Sequence, residues 1–259
     1  MDLEVRLSPA RITAFYAVLA AVDAALVGAT LLSDLQHDLA RGGLARQLDL
    51  KLEGNVAVWW SSAQLLLVGL AALGVARAAR DARLPPAPRA LWVLAGLSFL
   101  ALSADETAQL HERVGIRFQA WFGDVPGLTD GGWPAFAWLV ALLPLIIAFV
   151  MSMATIVKST WRWHARAARL LMAGTACWLG VLAAEFVQAQ LVRAGLPRAF
   201  QGVVEEGLEV VGASLFLVGL IELLRAASAA RTAANAASGT APKAARDRSP
   251  GRCRAAPAR

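Results

Sequence analysis

Apolar and polar positions along this chain fall into long blocks rather than a fine alternation. Six stretches are apolar almost throughout: Arg11 to Ser33, Asn55 to Ala76, Ala90 to Leu110, Trp133 to Val157, Ala167 to Val192 and Gly202 to Leu224. A helix rising 1.5 Å per residue crosses about 30 Å of hydrocarbon in roughly 20 residues, the length of these blocks. The pattern predicts an all-α fold, an integral membrane bundle of six transmembrane helices. With 58% hydrophobic and 17% charged residues in 259, the composition lies outside the range of soluble globular domains.

The polar loops give the bundle a direction. Lys and Arg crowd the loops after helices two and four (Arg77, Arg80, Arg83, Arg89; Lys158, Arg162, Arg166, Arg169) and the segment from Arg225 onward. The other side carries Arg41, Arg46, Lys51, Arg113, Arg117, Arg193 and Arg198. Asymmetry of this kind predicts that both termini are cytoplasmic, and the expected location is the bacterial cytoplasmic (inner) membrane. The first helix is read as a retained span, because its apolar run is too long for a signal peptide and Asp2 and Glu4 precede it.

Net charge is +6, but the surplus sits in the tail, where Asp247 is the lone acid after Arg225. Two domains are therefore expected, a membrane domain over 1–225 and a disordered, basic cytoplasmic tail over 226–259. The expected partners are the lipid bilayer and, through the tail, anionic lipid headgroups. No aromatic residue interrupts the tail, so no nucleic-acid partner is expected. The two cysteines, Cys177 and Cys253, are too far apart in topology to pair.

Chemistry enters with the acids inside the apolar blocks. A charge at the centre of a bilayer costs at least about 2.5 kcal/mol, so an intramembrane carboxylate points to function by default. Under the expected topology Asp105, Glu185 and Glu209 each fall about 10 Å below the outer surface, on three different helices. Glu205, Glu206, Glu112, His111 and His37 lie nearer the rim.

Helical phase assigns faces. The polar stripes are Glu205, Glu209, Gly212, Phe216 and Gly219 in helix six, and Gly174, Trp178, Val181, Glu185 and Ala189 in helix five, with Gln188 alongside. Helix three gives Leu94, Ser98, Asp105, Gln109 and Glu112, helix one Tyr16, Asp23, Thr30, Asp34 and His37, and helix two Asn55, Trp59, Ser62 and Gly69. Such stripes are expected to face one another. Helix four, with Pro144 as a kink, is expected at the periphery, and Trp59, Trp60, Trp121 and Trp133 in interfacial belts.

Carboxylates and imidazoles projecting inward from several helices are the pattern of carboxylate-ligated metal sites in bundles. The expected ligands of a divalent metal ion are Asp105, Glu185, Glu209 and His111, with Glu205 or Glu112 as general base and Asp23, Glu106, Gln109, Gln188, Glu206 and His37 completing the polar pocket. In a regular helix His111 lies about 120° around from Asp105, so it joins the site only if helix three unwinds near Gln109. Plainer readings compete: Glu205 and Glu206 suit the positive end of a helix dipole, and Asp23 suits a hydrogen bond to a neighbouring hydroxyl. No Gly-x-Ser-x-Gly, Walker, Gly-x-Gly-x-x-Gly or His-Glu-x-x-His motif occurs.

The run Asp105-Glu106-x4-His111-Glu112 and the later Glu205-Glu206-x-x-Glu209 are similar to segments of a group of uncharacterised bacterial multi-pass membrane proteins. The resemblance implies a shared helical membrane architecture and no activity. Three functions remain open: an outward-facing metal-dependent enzyme or ligand-binding pocket, a cation or proton-coupled transporter, and a scaffold whose acids are internal glue. Polar stripes that turn apolar below Asp23 and Ser98 favour the first.

Overall fold

The computed structural model describes residues 8–35, 43–80, 87–126, 137–194 and 201–239, and within them the chain is helical with no strand. The elements are α1 (Pro9–Leu35), α2 (Gly43–Leu48), α3 (Val56–Arg80), α4 (Arg89–Ala108), α5 (Leu110–Phe122), α6 (Trp138–Ala141), α7 (Leu143–Trp161), α8 (Ala165–Arg193) and α9 (Gln201–Gly239). Six of these, α1, α3, α4, α7, α8 and α9, are long and apolar enough to cross a membrane. His37, Trp133 and residues 240–259 lie outside the described residues.

Helix α9 is the hub. It packs on α8, α3 and α1, while α4 joins α3 to α7 and α7 returns to α8, closing a ring. Phe216, Leu217, Leu220 and Leu223 of α9 meet Leu65, Val68 and Val75 of α3, Trp92 and Phe99 of α4, and Ile156 of α7 in one apolar core. Phe99 stands edge-on to Phe216, with ring centroids 4.9 Å apart. The helix continues past Arg225 to Gly239 through an Ala-rich stretch of high helix propensity.

Glycines set the closest approaches. A Cβ at Gly69 would lie 2.9 Å from the Gly96 carbonyl oxygen and 2.8 Å from Leu100, so α3 and α4 touch backbone to backbone there. Gly174 and Gly212 do the same between α8 and α9.

Several expected faces are shifted by about one residue. The inner side of α4 is Trp92, Ala95, Phe99 and Ser103, whereas Leu94 is 43% exposed. On α3 the buried side runs through Ser61, Gln64, Leu65 and Val68, and Trp59 is 64% exposed. Ser62 and Gly69 face α4 instead, Ser62 exchanging hydrogen bonds with Ser103. Trp60, expected in an interfacial belt, packs against the core and donates its indole N–H to Asp23 at 2.9 Å. The fourth apolar block is two helices, α6 and α7, meeting at Leu142, and Pro144 occupies the first turn of α7, where its missing N–H costs nothing.

The segment before α3 folds back on α1. Thr30 accepts from the Leu50 amide at 2.9 Å, Ser33 donates to Asp49 at 3.0 Å, and Lys51 pairs with Asp34. Asn55 caps α3 by accepting from the Val58 amide and donates to the Asp49 carbonyl.

Gly69→Val should lower the thermal unfolding temperature of detergent-purified protein by several degrees, the effect of about 1–3 kcal/mol of overpacking. Gly28→Ala, where a Cβ meets nothing within 4 Å, should leave it unchanged or raise it.

Candidate functional site

The inward stripe of α4 continues from Phe99 and Ser103 to Glu106, not to Asp105, because steps of four and three residues keep a helical face. Glu106 thereby meets Glu206 and Glu209 of α9: one carboxylate oxygen from each lies within 4.8 Å of the others. Ser61 of α3 is hydrogen-bonded to Glu106. Among the described residues this is the one group of three acidic, His or Cys side chains close enough to hold a single ion.

Asp105, Glu185 and Glu209, expected around one ion, separate into three neighbouring groups. Asp105 turns to His111, and Glu185 of α8 shares a hydrogen bond with Glu205 of α9. Of the expected ligands, only Glu209 belongs to the three-carboxylate cluster, whose other members are Glu106 and Glu206. The reason is phase, since a one-residue error on a helix turns a side chain by about 100°.

His111 reaches Asp105 by the route that the sequence requires. Helix α4 ends at Ala108, Gln109 takes a left-handed backbone with φ 49° and ψ 47°, and α5 starts at Leu110. Gln109 is the only non-glycine residue with positive φ among the described residues. The turn aims two donors of His111 at one carboxylate: the backbone N–H lies 2.7 Å from Oδ1, and ring Nδ1 lies 2.7 Å from Oδ2. Trp138 of α6 stands edge-on to the imidazole at 5.1 Å. Burial opposes the imidazolium, but the Asp105 hydrogen bond and charge, with Glu185 and Glu112 nearby, outweigh it and raise the His111 pKa.

The remaining expected residues distribute around these groups. Glu112 is half-buried in the first turn of α5, where its charge acts on His111, and Gln188 is half-buried on α8. Gln109 and Glu106 line a cleft of about 230 Å³ with Glu53, Asn55, Val58, Trp59 and Thr107, so the cleft reaches Glu106 from the surface. Lys51, the cation that acts on Glu206, is committed to Asp34, and its stem lies over Gly202.

Asp23 occupies a separate layer. Only 4% exposed, its carboxylate accepts from Trp60, from Gln64 Nε2 at 2.8 Å and from the Ser214 hydroxyl. The hydroxyl partner expected for Asp23 is thus present, on α9, while Gln64 and Trp60 were not legible as its partners. Ser61, Gln64 and Ser214 look like ordinary bundle residues in the sequence, and only their shared inward phase marks them. At the opposite end, buried Glu222 accepts from Tyr16 at 3.2 Å and Arg225 at 3.3 Å, tying α1 to α9.

Gln109→Gly should raise the unfolding temperature, because glycine removes about 1 kcal/mol of left-handed strain that Gln109 bears. His111, with its pKa raised above the ordinary 6.5, contributes stability that is complete below about pH 6.5 and lost as pH rises through the folded value. Unfolding temperatures measured across that window should fall with rising pH, and Asp105→Asn should flatten the profile. An equally steep profile in Asp105→Asn would show that the pair is not its source.

Comparison with known proteins adds the family. A model described as a domain of unknown function, DUF8692, matches residues 12–223, from the first turn of α1 through the acidic site to Leu223. No curated protein and no solved structure matches. The matched span covers most of the 259 residues, and the chain therefore belongs to the DUF8692 family.

Proposed function

We propose that this chain is a multi-pass protein of the bacterial cytoplasmic membrane, with both termini cytoplasmic, whose outward-facing acidic pocket binds a divalent cation between Glu106, Glu206 and Glu209. The observation that carries this reading is the approach of three carboxylates within 4.8 Å inside an apolar bundle. At an effective dielectric of about 20, each ionised pair at that distance repels by about 3 kcal/mol, so the cluster requires a neutralising charge. Lys51 acts on Glu206 but is itself paired with Asp34, and one shared cation does not balance three carboxylates. Hard oxygen donors suit Mg, Mn or Ca, and the adjoining cleft supplies a way in past Gln109.

A bound divalent ion would polarise a substrate oxygen and acidify a water molecule. Around it, Asp105 holds the His111 ring by Nδ1 and leaves Nε2 directed elsewhere, the arrangement of an oriented general base. Glu185 and Glu205 share a hydrogen bond, which keeps two further acids beside the cluster. The enzymatic form of this reading is metal-assisted hydrolysis with His111 or Glu112 moving the proton.

Transport fits less well. Beyond the Asp23 layer, towards the opposite end, Leu19, Val68, Ala72, Phe216 and Leu217 fill the bundle interior before Tyr16 and Glu222 are reached. That apolar layer leaves the pocket open on one side only.

Elemental analysis of detergent-purified protein should find about one divalent ion per chain, and Glu106→Gln or Glu209→Gln should lower occupancy at least tenfold. Glu112→Gln should leave occupancy unchanged. Protein that stays folded and carries no ion, even after incubation with Mg, Mn or Ca, would sink the metal reading and leave a protonated cluster as the neutralised state.

A further inference from the structure

Helix α5 is unlike the six long helices. Its 13 residues span about 20 Å, too short to cross a bilayer, and it packs on α6 and the end of α4. A single residue, Gln109, separates it from α4, so its first turn is fixed at the membrane end of a spanning helix.

Its faces are sorted. Leu110, Val114 and Trp121 fall within about 40° of one another around the helix axis and are 47%, 38% and 74% exposed. Arg113 and Arg117 flank that stripe on one side, and both are exposed. Glu112 and Gln119 lie on the far side, while Gly115 is buried and His111 is turned to Asp105 and Trp138. Ile116 and Phe122 are exposed outside the stripe, Ile116 beyond Arg113 and Phe122 on the side of His111. A short helix with an exposed apolar stripe, arginines beside it, and Glu112 and Gln119 opposite matches the requirements of a helix lying in a bilayer interface.

We infer that α5 is seated in the leaflet at the acidic end of the bundle, with acyl chains against Leu110, Val114 and Trp121 and lipid phosphates against Arg113 and Arg117. The inference rests on the reading of the chain as a membrane protein and adds the phospholipid as a specific partner of this helix. Two observations select lipid as the occupant. The helix is continuous with the membrane end of α4, and guanidinium groups at the edge of an apolar stripe complement phosphate geometry. An indole at Trp121 suits the same depth, with its ring among chains and its N–H near headgroups.

The seat has a consequence for the site. His111 and Glu112 are in the first turn of α5, which is joined to α4 by Gln109 and by the hydrogen bonds from His111 to Asp105. The leaflet therefore adds an outer support to the contacts that hold the imidazole on Asp105.

The test uses full-length protein in vesicles of phosphatidylcholine and phosphatidylglycerol, with Cys177→Ser and Cys253→Ser as background. Single cysteines are introduced as Val114→Cys, Trp121→Cys, Gln119→Cys and Met151→Cys and labelled with a fluorophore. Met151, 63% exposed in the middle of α7, reports on membrane insertion itself. A lipid nitroxide near the headgroups should quench labels at 114 and 121 at least about threefold more than the label at 119, and aqueous iodide should show the reverse order. Adding Arg113→Gln and Arg117→Gln should weaken lipid quenching at 121 in vesicles rich in phosphatidylglycerol. If deep lipid nitroxides quench the label at 151 while 114 and 121 answer only to iodide, α5 stands in water and the inference fails with the membrane reading intact. If 151 is not quenched by lipid, the membrane reading falls first. Quenching at 121 indifferent to both arginines would remove the phosphate contact.

Discussion

A carboxylate taken out of water has to find donors, a proton or a cation, and the packing around α9 follows from that requirement. Each of these acids or acid partners on α9 meets a side chain of a neighbouring helix. Glu206 and Glu209 meet Glu106 of α4, Glu205 meets Glu185 of α8, Ser214 meets Asp23 of α1, and Glu222 meets Tyr16 of α1. These polar contacts fix the rotation and depth of the neighbours, because apolar surfaces in lipid give little preference for one register over another. The aromatic core around Phe99 and Phe216 then fills the space that the polar registry leaves.

The layers differ in how completely they are satisfied. Asp23 has three donors and needs nothing more, which makes it a structural fixture between α1, α3 and α9. Glu222 has a phenol and a guanidinium. Glu106, Glu206 and Glu209 face one another, with Ser61 as the hydroxyl on Glu106. That unevenness singles out the cluster of Glu106, Glu206 and Glu209, rather than Asp23 or Glu222, as the proposed cation site.

One backbone residue gives the acidic site its asymmetry. Gln109 holds a left-handed conformation that costs a non-glycine residue about 1–2 kcal/mol, and the two hydrogen bonds from His111 to Asp105 offset it. Without that turn, α4 would continue as a regular helix and His111 would point away from Asp105. With it, the chain gains an imidazole at the cluster and a short amphipathic helix beside it.

Length and apolarity alone determined the six long helices, since a run of about 20 apolar residues has few other stable uses. The presence of acids at one end of the bundle was equally legible, because charge within such runs has to be sheltered from lipid. The sequence also stated the condition for His111 to reach Asp105, an unwinding near Gln109, without deciding whether it occurs. Tertiary structure decided the grouping: Glu106 rather than Asp105 turns to Glu209, and Trp60 turns to Asp23 rather than to an interface. The physical reason is angular. Neighbouring residues on a helix differ by about 100°, and when both are polar, or both apolar, only the packing of the other helices selects which one faces in.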